Sequence, residues 1–302
     1  GTKYTRTIVI GEKPDPSQVI PWDGTAAQPQ IKGTNISINT AEELAWVSEV
    51  VSGRLVDENI ADKTFKGYTL TLVKDIDLSD DIEWKPIGLT SSLSFSGTLD
   101  GAGKTIKGLK ITRNTYSSSD NNTGLFGFTN GAIIKDLTVE GDITINVTST
   151  SSSAPRIGGI IGYVNGSSSA VSTLENLTYK GVIDLSTPQG GYYIGGVAGF
   201  TTQVKISNCV NEAQITINNT HATSSGYVGG IAAQLSSNAE MYSCRNLADI
   251  TCAGANRVGG VTAYTSTATS KVAGCANFGD IVAGGYNSNV GGVTAYMSNG
   301  SI

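Results

Sequence analysis

Asp249 and Asp280 are the acidic residues whose spacing comes nearest to supporting chemistry. They occupy equivalent positions in neighbouring copies of an internal repeat, and Asp142 takes that position in an earlier copy. Two carboxylates about 5 Å apart could serve a retaining glycosidase or contribute to a Ca²⁺ site. Val182 and Gln214 interrupt the set, and each aspartate follows a small residue at a predicted turn. We therefore interpret Asp249 and Asp280 as weak Ca²⁺ candidates and predict no catalytic residues.

Nucleophilic and metal chemistry have less support. The single histidine, His221, lies in a loop rich in Asn, Thr and Ser, so a Ser-His-Asp triad would have no fixed partners. The four cysteines form no Cys-x-x-Cys pair, which argues against a zinc site of the Cys/His type. We predict a non-enzymatic protein without cofactors.

Two sets of aromatic and polar residues recur at fixed distances from a repeated glycine. Four residues after that glycine come Phe128, Tyr163, Phe200, Tyr264 and Tyr296, with Gln234 as the exception. Three residues before it come Arg156, Tyr193, Tyr227, Arg257 and Asn289. One interpretation is structural: the rings stack, and Arg257 lies over Tyr227 as a cation–π pair. The other is an aromatic surface that binds sugar rings or a protein partner. The ligand-binding candidates are Tyr163, Phe200, Tyr264, Tyr296, Tyr193, Tyr227 and Arg257.

The elements that must position these residues belong to a tandem repeat. Its units begin at the anchor glycines, Gly124, Gly159, Gly196, Gly230, Gly260 and Gly292, which are 35, 37, 34, 30 and 32 residues apart. Each unit holds about three short strands and cannot bury its apolar positions alone, so neighbours must stack. The pattern predicts an all-β fold, a right-handed parallel β-helix (β-solenoid). A β-propeller is the competing architecture, but it needs four antiparallel strands in each unit.

Aligning the units also predicts which residues are neighbours inside the stack. Cys209, Cys244 and Cys275 share a position that Leu137 and Leu177 occupy in earlier units, so we expect buried, reduced cysteines. A disulfide between neighbouring units is the alternative, although it would need unusual geometry. Two residues further on, an Asn recurs, and it predicts a ladder of side-chain amides at a corner. The members of this Asn ladder are Asn211, Asn246 and Asn277.

The repeats are preceded by an arm and a helix. Residues 1–35 have no clear period, and the prolines among them predict an extended arm or tether. A short helix over about 40–53 would cap the first coil, with Thr40 as N-cap and Glu43 as its capping-box partner. The β-helix domain would span 36–302, with tandem repeats from about 66. The chain stops within a sixth unit, so we expect that a C-terminal cap is missing or that the natural protein continues.

Charge and hydropathy exclude two kinds of partner. The net charge of −5 and pI of about 5.0 argue against nucleic-acid binding, which requires a basic surface. No stretch approaches the roughly 20 apolar residues of a membrane span. The chain begins with Gly1 rather than Met, and we expect any tether to the cell surface to lie in residues that precede it.

Several motifs in order resemble GLUG-motif proteins, which are bacterial surface and secreted proteins. The same motif occurs in the non-catalytic N-terminal region of IgA-specific metallopeptidases. The resemblance covers about 36–302, and it is most specific over about 40–140. The residues that carry it are Thr40–Trp46 (TAEELAW), Lys74–Leu78 (KDIDL), Trp84–Gly88 (WKPIG), Phe95–Gly101 (FSGTLDG), Thr105–Leu109 (TIKGL) and Gly124–Gly127 (GLFG). It implies a right-handed β-helix, export and a role in adhesion, and it supplies no catalytic residues.

The favoured function is therefore that of a non-enzymatic protein, extracellular or on the outer cell surface of a bacterium. It would act in cell adhesion, or bind glycan or a host surface protein through the side of the β-helix. One alternative is a polysaccharide lyase or glycoside hydrolase on a β-helix scaffold, which is an analogy at the level of the fold. The other is a purely structural stalk.

Overall fold

Alternating apolar residues and repeated glycines fold this chain into a stack of β-coils. The computed structural model describes residues 21–79, 81–115, 117, 121–150, 154–188, 190–221, 225–284 and 289–298. It is an all-β solenoid of about 7 turns, with 54% strand and 4% helix. The predicted fold class is confirmed, and a propeller is excluded because successive repeats pair with each other in parallel.

The N-terminal part contains the helix and the first turns. Its elements are β1 (Gln30–Lys32), β2 (Asn35–Ile38), α1 (Ala41–Val51), β3 (Thr69–Leu72), β4 (Ile76–Asp77) and β5 (Thr98–Arg113). Thr40 caps α1, since its Oγ1 accepts a hydrogen bond from the Glu43 N–H at 3.3 Å. The Glu43 carboxylate accepts a hydrogen bond from the N–H of Asn39. A capping box would place this bond on the N–H of the N-cap residue Thr40, one residue later. Gly53 follows the helix with a φ of 70°.

The described part of the predicted arm lies against the solenoid rather than extending from it. Trp22 is 6% exposed, and its ring lies 5.8 Å from that of Trp84. The strand β1 pairs antiparallel with β2. Residues 1–20 of the arm lie outside the described residues. The Pro-rich composition predicted an extended chain here. Composition could not indicate that Trp22 is buried, because a single buried residue leaves no pattern in it.

Six coils follow, and each contributes strands in the same order. The first has β6 (Asn122–Thr123), β7 (Phe126–Asn130) and β8 (Ile133–Asn146); the second β9 (Arg156–Gly158), β10 (Ile161–Asn165) and β11 (Ser172–Thr187). The third has β12 (Tyr193–Gly195), β13 (Ala198–Thr202), β14 (Val204–Ser207) and β15 (Val210–Asn219). The fourth has β16 (Tyr227–Gly229), β17 (Ala232–Ser236), β18 (Glu240–Tyr242), β19 (Arg245–Asn246) and β20 (Ile250–Ala253). The fifth has β21 (Arg257–Gly259), β22 (Thr262–Thr265), β23 (Lys271–Ala273), β24 (Ala276–Asn277) and β25 (Ile281–Gly284), and the sixth β26 (Asn289–Gly291) and β27 (Thr294–Met297).

Equivalent strands stack into three sheets. Two short sheets have six strands each, β6-β9-β12-β16-β21-β26 and β7-β10-β13-β17-β22-β27. The remaining 15 strands form the long sheet. On the long-sheet side, each coil from the first to the fifth turns at a residue with positive φ, which favours Asn, Asp and Gly. These corner residues are Asp136, Asn176, Asn208, Ser243 and Gly274.

The interior columns follow the predicted alignment. Leu137 pairs with Leu177, and Cys209, Cys244 and Cys275 occupy the same position in the next three coils. Cys209 and Cys244 are 0% exposed, whereas Cys275 is half-buried. All four cysteines are free thiols, as expected for a reduced core. A hydrogen bond with the Cys209 thiol raises the pKa of Cys244.

The Asn ladder is also confirmed. The Asn211 Nδ2 donates to the Asn246 Oδ1 at 2.7 Å, and the Asn246 Nδ2 donates to the Asn277 Oδ1 at 2.7 Å. Each Nδ2 also donates to the carbonyl two residues further along its own chain. Asn211 and Asn246 are fully buried, so the ladder satisfies amides that would otherwise be costly to bury.

Candidate functional site

The two short sheets place the predicted aromatic positions in two columns. Parallel pairing aligns the first as Phe128, Tyr163, Phe200, Gln234, Tyr264 and Tyr296. It aligns the second as Arg156, Tyr193, Tyr227, Arg257 and Asn289. Both alignments agree with the repeat spacing. The sequence left open how the two columns lie relative to each other.

The structure brings the two columns together across a corner built from paired glycines. In the third coil, Gly195 ends β12 and the anchor glycine Gly196 follows it. A Cβ on Gly195 would overlap the carbonyl oxygen of Ala198, and one on Gly196 would overlap the Asn211 side chain. Because only glycine allows so tight a turn, the ring of Tyr193 lies 4.9 Å from that of Phe200.

The rings form one continuous path across the six coils. From Phe128 the path runs through Tyr163, Phe200, Tyr193, Tyr227 and Tyr264 to Tyr296, and successive ring centroids are 4.6, 5.0, 4.9, 5.2, 5.7 and 5.6 Å apart. Gln234, which is 8% exposed, breaks the first column. The path bypasses it through Tyr193 and Tyr227 in the second column. Such separations are typical of offset and edge-to-face aromatic contacts.

Two arginines lie over these rings. The Arg257 guanidinium carbon is 5.0 Å from the Tyr227 centroid, 4.3 Å from that of Tyr264 and 4.4 Å from that of Tyr296. The Arg156 guanidinium carbon is 4.9 Å from the Tyr163 centroid and 5.7 Å from that of Phe200. The predicted pair of Arg257 with Tyr227 is confirmed, and the two further rings around Arg257 were missed. We call Arg156, Arg257 and the seven rings of the path the aromatic–arginine face.

The electrostatics of the aromatic–arginine face differ from those of the long sheet. Arg156 and Arg257 are the only charged residues in the twelve strands of the two short sheets. Among the described residues neither guanidinium has an ion-pair partner, and the Nε of each has no hydrogen-bond partner. On the long sheet, by contrast, lysines pair with carboxylates of neighbouring coils, as Lys135 does with Asp100 at 2.6 Å and Lys271 with Glu240 at 3.5 Å.

The aromatic–arginine face is partly open to solvent. Tyr163, Tyr193, Phe200, Tyr227 and Tyr264 are half-buried and Tyr296 is 42% exposed, whereas Phe128 is covered. Within the described residues, none of the five tyrosine hydroxyls makes a hydrogen bond. Burial raises the pKa of Tyr163 and of Tyr193, so both hydroxyls remain protonated donors at neutral pH.

Arg156 was not among the predicted binding residues, although it occupies the same repeat position as Arg257. The missing information was the corner geometry, which brings Arg156 over Tyr163 of its own coil and Phe200 of the next. The usable signal was the recurrence of arginine in that column in the second and fifth coils.

In the predicted acidic pair, one carboxylate is hydrogen-bonded to the backbone of the other residue. The Asp249 Oδ1 accepts a hydrogen bond from the Asp280 N–H at 2.8 Å, and both side chains are exposed. In the described part of the chain, no three His, Cys, Asp or Glu side chains come together in a way that could hold a metal ion. The Asp249 carboxylate thus joins the fourth coil to the backbone of the fifth, and the assignment of this pair as weak Ca²⁺ candidates stays a prediction.

Comparisons with known proteins give one distant similarity. The chain is 26% identical to halomucin of Haloquadratum walsbyi over 233 residues, which cover 66% of this chain and 2% of halomucin. The chain thus spans a very small part of the curated relative that it matches. No family model matches the chain, and no solved structure matches it. None of the described residues form a helix with the length and hydrophobicity that a bilayer crossing requires.

Proposed function

We propose that this protein is a non-enzymatic surface or secreted protein that binds a glycan or a host surface protein through the aromatic–arginine face. The observation that carries the proposal is the continuous, partly exposed path of rings, with two guanidinium groups to which the described part of the chain supplies no counter-ion. Aromatic residues and arginine are the side chains enriched in recognition surfaces.

Partial exposure favours binding over stacking alone. Rings that served only to hold coils together would gain most from complete burial. On the aromatic–arginine face, the tyrosines instead remain partly exposed. Tilted and edge-on rings that carry hydroxyl donors offer both apolar contact and hydrogen bonds to the C–H and O–H groups of a sugar ring.

The comparisons and the resemblance support an external location. The similarity to halomucin is compatible with a surface or structural role. The likeness to GLUG-motif proteins implies export and adhesion, and we propose that the protein acts outside a bacterial cell. The parallel solenoid suits this role, because it presents the same side chains repeatedly along one face.

A glycan array combined with a panel of host surface proteins tests the proposal. We expect the wild type to bind, and Tyr264→Leu and Tyr193→Leu to weaken binding at least tenfold, because leucine keeps apolar volume and loses the ring and hydroxyl. Tyr242→Leu, on β18 of the long sheet, is the matched control and should bind as the wild type does. Thermal unfolding of each variant verifies folding. If the wild type binds nothing, or the variants on the face bind normally, the face has only a structural role and the proposal is wrong.

A further inference from the structure

We infer that the ligand of the aromatic–arginine face is an acidic glycan, a chain of sugars bearing carboxylate or sulfate groups that lies along the solenoid axis. This inference rests on the proposed function and names the class of ligand. It is motivated by the contrast between the two short-sheet arginines, which have no ion-pair partner among the described residues, and the paired lysines on the long sheet.

The positive charge of the aromatic–arginine face favours an anionic ligand. Arg156 and Arg257 are held over rings, and in the described part of the chain no carboxylate neutralises either of them. A guanidinium group whose orientation is already restricted by stacking presents its remaining N–H groups with little further loss of entropy. Carboxylate and sulfate oxygens are acceptors that match its planar donor geometry.

The distance between the two arginines of the face favours an elongated ligand. Arg156 lies in the second coil and Arg257 in the fifth, and three coil steps of about 4.8 Å separate them by about 14 Å. Tyr193 and Tyr227 fill the interval, with ring centroids 5.2 Å apart. A chain with anionic groups at both ends of this interval could contact both arginines while its sugar rings pack on the tyrosines.

Two other kinds of acidic polymer fit less well. A nucleic acid carries a phosphate at every step and would need a row of cations, whereas this face has two and the protein has a net charge of −5. A peptide usually gains affinity by adding a strand to an open sheet edge. Between the second and fifth coils, the strands of both short sheets are paired on each side, so no such edge is available there.

The test compares two forms of one oligosaccharide by titration calorimetry. The probes are a uronic acid hexasaccharide and its methyl ester, which has the same rings and linkages without the charges. We expect the wild type to bind the acid at least about tenfold more tightly, the range for a charge-assisted hydrogen bond. A sulfated hexasaccharide in a parallel titration distinguishes carboxylate from sulfate as the preferred anion, and either preference supports the inference.

Substitutions test whether the two arginines cause the tighter binding of the acid than of the ester. Arg156→Met with Arg257→Met should remove the preference for the acid while it retains weak binding of the ester. Arg245→Met removes an exposed arginine from the long sheet and should leave the preference unchanged. If the double variant does not fold, the wild type itself provides the test, because its affinity for the acid should fall with added salt while its affinity for the ester stays constant.

The outcomes distinguish this inference from the proposed function. Equal binding of acid and ester, or tighter binding of single-stranded DNA, would overturn the acidic glycan as ligand. Equal binding of acid and ester would leave a glycan-binding role intact. Absence of binding to every sugar and every host protein would overturn both.

Discussion

At the scale of single residues, the anchor glycines determine how closely each corner approaches the Asn ladder. A Cβ on Gly230 would overlap the carbonyl oxygen of Gly260 and would lie 2.5 Å from the Asn246 Cγ. Neither neighbour can move easily, because the carbonyl belongs to the next coil and Asn246 is bonded on both sides of the ladder. Close packing of the fourth coil on the fifth therefore depends on the absence of a side chain at Gly230.

Gly230→Ala tests this packing. We expect the free energy of unfolding to fall by about 2 to 3 kcal/mol, the usual cost of overpacking a tight core. Gly292→Ala is the matched control, because it changes the same repeat position in the sixth coil, where a Cβ would meet nothing within 4 Å. Chemical denaturation measures both variants. An equal loss of stability in the two would contradict the packing argument.

Cys252 offers a second test at this scale. Burial raises the pKa of its thiol to about 12. The unfolded thiol ionises near its ordinary pKa, so the buried thiol contributes stability that is present below that value and is lost as the pH rises toward 12. Relative to Cys252→Ala, the wild type should lose about 1.4 kcal/mol of unfolding free energy for each pH unit in that window. If the unfolding free energies of the two proteins changed in parallel from pH 8 to 11, the raised pKa of Cys252 would be contradicted.

At the scale of elements, a chain of aromatic rings joins the helical cap to the first coil. Trp46 of α1 lies 5.8 Å from Phe65, which lies 6.1 Å from Phe95, and Phe95 lies 5.1 Å from Phe126 of β7. All four side chains are at most 1% exposed. The cap thus covers the end of the stack by extending its apolar interior, which a solenoid requires of its terminal elements.

Phe95→Ala should disrupt this junction. We expect a loss of about 3 to 5 kcal/mol of stability, because the substitution leaves a cavity between the cap and the first coil. Hydrogen exchange should rise most in α1 and β7 and least in the fifth coil, since repeats contact only their neighbours. The control is Phe278→Ala, a residue 69% exposed that should change little. Uniform loss of protection along the chain would contradict a local junction.

The elements also show what the sequence could and could not predict. Repeat spacing predicted the columns, because a parallel stack places equivalent residues of successive coils directly above one another. It could not predict that Tyr193 and Phe200 touch, since that contact depends on the turn at Gly195 and Gly196. Nor could it place Trp22 on Trp84, because a single buried residue in an aperiodic segment leaves no pattern.

At the scale of the whole molecule, charge and aromatic surface are separated onto different sides of the solenoid. Lysine–carboxylate pairs run along the long sheet, as in the Glu140–Lys180–Glu212 series. Such pairs are partly exposed and contribute little to stability. The short sheets carry the rings and two arginines, neither of which has an ion-pair partner within the described ranges. A molecule with a net charge of −5 thus presents a locally positive, aromatic side, and we propose that this side meets the ligand.

Hydroxyl-radical footprinting tests this proposal most directly, because the radicals oxidise exposed aromatic side chains. With the uronic acid hexasaccharide bound, oxidation of Tyr193, Tyr227 and Tyr264 should fall severalfold, while Tyr242 on the long sheet should react as before. Unchanged oxidation of the three tyrosines at saturating ligand, or protection confined to Tyr242, would contradict the account.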